Sequence, residues 1–150
     1  MSSTEYVTFT IGGQLFGAEV SNVHDVFAPS SITPVPMARP EIAGVLNLRG
    51  RIVTAIDARA RLGLGRRDED QSNVMAIGVE QDGESFGLII DQIGEVMRLE
   101  NDTLEANPVN LDPIWASVAK GVHRLNDKLL VVMDIGRMLA VEGLEDGLAA

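Results

Sequence analysis

Covalent catalysis needs a nucleophile, a base and a group that orients the base, and this 150-residue sequence supplies no such set. It contains no cysteine, which removes a thiolate nucleophile, a thiolate metal site and any disulfide framework. It also has no Gly-x-Ser-x-Gly elbow. The two histidines, His24 and His123, each lack a second histidine at ligand spacing, and both are expected at the surface or a strand edge. Gly12-Gly13 and Gly63-Leu64-Gly65 lack the Lys-Ser/Thr ending of a phosphate loop. The carboxylates of the second half are dispersed and form no Asp-x-Asp-x-Asp-Gly calcium loop. The reading is therefore a protein with no catalytic, cofactor-binding or metal residues, and not an enzyme. One turn remains, Asn47-Leu48-Arg49-Gly50. Its glycine permits the positive φ of a tight hairpin, its asparagine can hydrogen-bond backbone, and its arginine offers a planar multi-donor group. Arg49 either recognises a partner or pairs with a carboxylate of its own fold.

The elements that position this turn come from a chain with 45% apolar, 23% charged and only 4% aromatic residues, which is globular composition with an aliphatic core. The net charge of −10 argues against nucleic-acid binding and against peripheral attachment to anionic lipid. It is unevenly spread: residues 1–38 carry −3, residues 39–67 carry +5 with seven arginines, and residues 68–150 carry −12. An arginine-rich segment in an acidic protein either solvates a helix face and a turn, the more ordinary case, or steers an acidic partner. The start shows no signal-peptide pattern and no apolar run approaches the ~20 residues of a membrane span. A cytoplasmic protein without direct membrane insertion is expected.

Along the chain, 6–11 and 14–20 read as a hairpin around Gly12-Gly13. Residues 28–40 hold four prolines, which exclude a regular helix or central strand, and Pro40 to Ala43 could supply one helical turn. Strands are predicted at 45–48 and 51–56, followed by a short helix capped by Asp57 and stopped at Gly63. Arg66-Arg67 and the acids after them read as a solvated linker. The second half follows the same plan: strands at 74–79, 85–90 and 93–99, breaks at Asn107-Pro108 and Asp112-Pro113, a hairpin of 119–125 and 128–133, and a helix capped by Asp134. Residues 141–150 read as a flexible acidic tail.

The parallel is visible residue by residue. Residues 44–62 align without gaps on 121–139, with five identities: Gly44/Gly121, Val45/Val122, Leu48/Leu125, Asp57/Asp134 and Leu62/Leu139. Upstream, Phe16-Gly17 matches Phe86-Gly87, and Val20, Val23, Asp25 and Val26 match Ile90, Ile93, Glu95 and Val96. The offsets are 70 and 77, so the second copy carries seven extra residues between the blocks. Internal duplication of a strand-rich unit follows. Each copy is too small for a deep core alone, so an all-β architecture of two small closed sheets packed together is expected, with approximate subdomains 14–68, to which the N- or C-terminal strands could add, and 69–140. The groove between them is the natural place for a partner.

At Gly44-Val45-Leu46-Asn47-Leu48-Arg49-Gly50-x-Ile52, then Asp57, and at Phe16-Gly17 and Val23-x-Asp25-Val26, the chain resembles the CheW family of chemotaxis coupling proteins. The resemblance covers most of residues 5–140, as one CheW-like domain. It implies two five-stranded SH3-like barrels with short helices, one near the C-terminus. It implies no catalytic activity and no cofactor. It implies an adaptor that joins the cytoplasmic tips of methyl-accepting chemoreceptors to the regulatory domain of the histidine kinase CheA, recruited to membrane-associated receptor arrays. Arg49 and Asp25 carry over as interaction residues, with Val26, Asn47, Leu48 and Gly50 beside them. Two departures stand out: Thr54-Ala55 replaces the family's Pro-Val, and Asp25 replaces a glutamate. Rival readings are a CheW-like scaffold of a non-chemotaxis receptor–kinase pathway, a small-ligand-binding β-barrel and a self-assembling protein.

Overall fold

A computed structural model describes residues 2–64 and 74–140 of the chain; the Arg66-Arg67 linker and the 141–150 tail expected from the sequence lie outside them. Ten strands dominate: β1 (Ser3–Ile11), β2 (Gln14–Glu19), β3 (Val23–Phe27), β4 (Ile42–Leu48), β5 (Arg51–Asp57), β6 (Met75–Gln81), β7 (Glu84–Ile90), β8 (Gln92–Glu100), β9 (Ala119–Arg124) and β10 (Leu129–Met133). Among the described residues three short α-helices join them: α1 (Ala58–Arg61), α2 (Pro113–Val118) and α3 (Ile135–Met138). Asp57 and Asp134 cap α1 and α3, accepting from the N–H groups of Arg59 and Arg137 at 3.0 and 3.1 Å. No helix among the described residues is long and apolar enough to cross a membrane.

The strands form two five-stranded sheets, as the SH3-like barrel expectation requires, in the orders β8-β1-β2-β10-β9 and β3-β6-β7-β5-β4. These are not the two sequence halves. The hairpin β1–β2 of the first copy joins β8, β9 and β10 of the second, and β6–β7 of the second copy joins β3, β4 and β5 of the first. The boundaries 14–68 and 69–140 therefore divide the repeat and not the sheets. The reason is that each copy's leading hairpin exchanges, and its strands pair in parallel with the other copy's last strand, β2 with β10 and β7 with β5.

The pairing registers reproduce the sequence offsets. Phe16 lies opposite Val131 and Phe86 opposite Thr54, so offsets of 70 and 77 convert one parallel pair into the other. The bulge between Val7 and Phe9 against β8 recurs between Val23 and Asp25 against β6. A second shared bulge falls where Ile42 meets Ile56 and Ala119 meets Met133. Bulges are specific departures from a ladder, and their recurrence at equivalent places shows that both copies retain one backbone plan.

The largest core unites the two sheets, with Phe9 and Phe16 from one packed with Ile77, Phe86 and Leu88 from the other. The opposite faces hold smaller clusters, Tyr6, Leu130 and Val132 in the first sheet and Leu46, Val53, Ala55 and Ile89 in the second. Strand alternation explains this division: Val131 and Met133 face the shared core while Leu130 and Val132 face the private one. Two local expectations change. Pro40 and Glu41 make a turn that leads straight into β4, not a helical turn. Asp112-Pro113, read as a break, instead starts α2, with Asp112 accepting from the Ile114 N–H at 2.9 Å and proline in the first turn.

The duplicated glycines have a common cause. Gly44 has φ 148°, and a Cβ there would collide with the Thr33 carbonyl oxygen; a Cβ at Gly121 would collide with that of Glu105. In each copy a crossing segment lies on the strand through a two-bond bridge, Thr33 with Val45 and Glu105 with Val122. Gly44→Ala and Gly121→Ala should therefore each lower unfolding stability by about 2 kcal/mol or more, read as a shifted denaturant midpoint, whereas Gly83→Ala, with open space around its α-carbon, should cost about 1 kcal/mol from its positive φ alone.

Candidate functional site

β3 alternates, with Val23, Asp25 and Phe27 half-buried and His24 and Val26 exposed. Asp25 lies opposite Gly78 of β6, and Gly78 leaves the carboxylate room, since even a Cβ there would come within 3.3 Å of Asp25. One oxygen of Asp25 accepts from the Val26 N–H at 2.9 Å. The other pairs with Arg49 Nη1 at 2.9 Å. The two residues carried over by resemblance are thus in direct contact, from the two edge elements of one sheet.

Arg49 and Gly50 join β4 to β5, with φ of 54° and 83°. Positive φ at both positions is the twist of a tight two-residue hairpin. The equivalent turns elsewhere use Gly12-Gly13 and Asp82-Gly83, residues that tolerate this conformation; arginine does not, and holding it there costs on the order of 1 kcal/mol. Asn47 secures the turn by accepting the Gly50 N–H at 2.9 Å. Leu48 anchors it by packing on the cluster of Leu46 and Val53. The ion pair does not repay the strain in full. The Arg49 side chain is 76% exposed and Asp25 22%, and solvated pairs of this kind contribute roughly 0.2–1 kcal/mol. The guanidinium is placed facing solvent at a local cost.

The pair stands at the edge of a cleft of about 240 Å³ built wholly from β3, β4, β5, β6 and β7 and the turn. Phe27, Val53 and Phe86 supply its apolar lining, and His24, Glu80 and Arg51 are among its polar residues. His24 Nε2 is 4.0 Å from the Glu80 carboxylate, with both side chains well exposed. Beside Arg51, Ile52 is 68% exposed. An apolar floor with charges of both signs at its edge suits a protein surface that presents an aliphatic or aromatic side chain among polar ones. Among the described residues no three His, Asp or Glu side chains come together to hold a metal ion.

The middle of the space between the sheets is occupied by the shared core; at its edge a cleft of about 230 Å³ lies between the β6–β7 turn and α3, while the cleft beside Asp25 and Arg49 lies within one sheet. The structure departs from the sequence reading in two respects. Val26 is exposed but does not line the cleft, while Phe27, Arg51 and Phe86, not singled out from sequence, do; the period-two pattern of β3, which puts Phe27 on the face of Asp25, is the signal that could have found the first. His123 is buried, at 1% exposure, not at a surface.

The second copy lacks this arrangement. Its turn carries Asn126 where the first has Arg49, and Glu95, equivalent to Asp25, is exposed with its carbonyl accepting from the Thr8 hydroxyl.

Residues 5–143 match the family model described as the CheW-like domain. The chain is 28% identical over 143 residues to the chemotaxis protein CheW of Thermotoga maritima, covering 95% of this chain and 92% of that one. It is 27% identical over 146 residues to the chemotaxis protein CheW of Treponema pallidum, covering 94% and 85%. Its fold matches the crystal structure of the scaffolding protein TtCheW from Thermoanaerobacter tengcongensis with a TM-score of 0.83 at 29% identity, over 95% of this chain and 92% of that one. Two five-stranded sheets and a family match across nearly the whole sequence lead to one conclusion: the chain belongs to the CheW-like domain family.

Proposed function

We propose that this protein is a non-catalytic chemotaxis adaptor in the cytoplasm that joins chemoreceptor tips to the regulatory domain of the kinase CheA. The observation that carries the proposal is the Asp25–Arg49 pair, presented on a strained turn beside an apolar-floored cleft. A turn built only for stability would carry Gly, Asn or Asp at position 49. Relatives named chemotaxis protein CheW and a structural relative described as a scaffolding protein support the same reading. In this role the cleft accepts side chains from a partner surface, the guanidinium supplies charge-assisted hydrogen bonds, and Asp25 holds it in orientation.

The direct test is size-exclusion co-elution with the CheA regulatory domain and, separately, with a receptor-tip fragment. The wild-type chain should form a stoichiometric complex with each; a folded protein that binds neither overturns the proposal, and binding only to the kinase of another receptor pathway transfers the scaffold role there. Arg49→Gly separates binding from folding. It relieves the turn and removes a weak ion pair, so its stability should stay within about 1 kcal/mol of wild type, while affinity for the partner at this site falls about tenfold or more. Association should also slow as salt rises through the range where the Debye length falls below about 8 Å, because Arg49 and Arg51 steer an acidic surface across solvent.

A further inference from the structure

His123 is not used by the site above. It lies on β9 opposite Leu130 of β10, is 1% exposed, and meets the Tyr6 ring edge-on at 5.7 Å between centroids. Its Nδ1 is 3.1 Å from the Thr103 hydroxyl. That hydroxyl already donates to the Glu100 carbonyl oxygen at 2.8 Å, so the imidazole must donate from Nδ1–H to the Thr103 oxygen. Nε2 then carries the lone pair, and it is buried without a partner. A neutral ring leaves only an acceptor lone pair without a partner; a protonated ring would bury a charged second N–H donor with no acceptor, which costs more.

Thr103 belongs to a strap, residues 100–105, that ends on β9 through two bonds between Glu105 and Val122, 2.8 and 2.9 Å long. Val122 is the neighbour of His123. Burial pushes the His123 imidazole below its ordinary value, and the Glu105 carboxylate opposes this in part. Glu105 is itself paired with Arg124 at 3.0 Å. Glu100 and Asp102 on the strap, Glu5 and Tyr6 on β1, Lys120 on β9, and Asp127 and Lys128 before β10 are the other titratable groups on the elements around the ring. The first copy holds an internal control. Its strap residue Thr33 bridges Val45 in the same way, but the position equivalent to His123 is Leu46, buried in the other private cluster.

We propose that His123 is an acid-released latch: neutral, it stays buried and fastens the 100–105 strap to β9, closing one barrel; protonated, it keeps its Nδ1–H donor but gains a charged Nε2–H with no acceptor in the closed barrel, so the strap opens to let that group reach water while the equivalent strap of the other barrel stays closed. The inference stands apart from the adaptor reading. The sign follows from linkage: the opened state takes up a proton at the ordinary histidine value of about 6.5, the closed state only at lower pH, so opening grows as pH falls through the interval between them.

Amide hydrogen exchange on the full chain, with an NMR titration of the His123 ring, tests this. Below pH 6.5, exchange at Glu105 and Val122, corrected for intrinsic rates, should accelerate by up to about tenfold per pH unit, with Thr33 and Val45 unchanged in the same sample. His123→Leu should abolish the acceleration. Thr103→Val, which keeps the ring but removes its acceptor, should raise exchange at Glu105 already at pH 7.5. A ring that titrates at or above 6.5, equal acid responses of the two straps, or an unchanged response in His123→Leu overturns the latch. Should His123→Leu fail to fold, the comparison of the two straps within the wild-type chain still decides it.

Discussion

The architecture depends on the parallel pairing of β2 with β10 and of β7 with β5. These two ladders bind each copy's leading hairpin to the other copy's closing hairpin. With them in place, Phe9 and Phe16 arrive on one side of the shared core and Ile77, Phe86 and Leu88 on the other. Each such side chain contributes roughly 1.5–3 kcal/mol when fully buried, which copies of about 65 residues could not collect separately. The exchange also makes the molecule one cooperative unit, since either half without the other lacks strands of both sheets. The contacts that close it are distant in sequence, and pairing them costs loop entropy before the core repays it.

On this symmetric frame the two copies differ where each has something exposed or polar to place. The plan of the β4–β5 and β9–β10 hairpins is shared down to the glycines that admit a crossing carbonyl. At the tip of the first stands Arg49, held against Asp25 in a conformation arginine disfavours. The second has Asn126 there. The shared residues are those that the backbone needs, and the divergent ones lie where side chains leave the backbone. Duplication supplies the scaffold twice, but among the described residues the strained arginine turn paired with Asp25 stands on one barrel, the other having Asn126 at the equivalent position.

How far the sequence discloses this follows from the range of each interaction. Tight turns, caps and strands are local, and Gly12-Gly13, Asp57, Asp134 and the alternating runs announce them within a few residues. The repeat offsets disclose even the registers, once the sheets are known to be related. Which hairpin joins which sheet is not local: a copy that closes on itself and a copy that exchanges have the same pattern of apolar residues, so the boundary near 68 marks the repeat and not the sheets. The motif marks Arg49 and Asp25, but the cleft needs Phe27, Val53 and Phe86 from three strands, and no spacing along the chain brings those together. α2 is different, because the capping signal Asp112-Pro113 is present in the sequence and equally signals a break.

His123 shows why a duplicated core is informative about polar residues. A lone histidine in a strand has no distinctive spacing, and a surface position is the ordinary expectation. Superposing the copies changes that: its counterpart is Leu46, which is buried, so His123 occupies a core position that this fold fills adequately with an aliphatic side chain. The polar choice must then be accommodated by other groups, and the structure does so through the Thr103 hydroxyl, itself fixed by the Glu100 carbonyl, while Nε2 goes unpartnered. A leucine there would demand no partner. The barrel that buries the histidine is the one without the Asp25–Arg49 pair, and the barrel that presents the pair keeps a wholly aliphatic residue at the equivalent place. Proton sensitivity and the charged cleft are thereby assigned to different sheets, joined through the shared core, so that a change in the fastening of one need not disturb the geometry of the other.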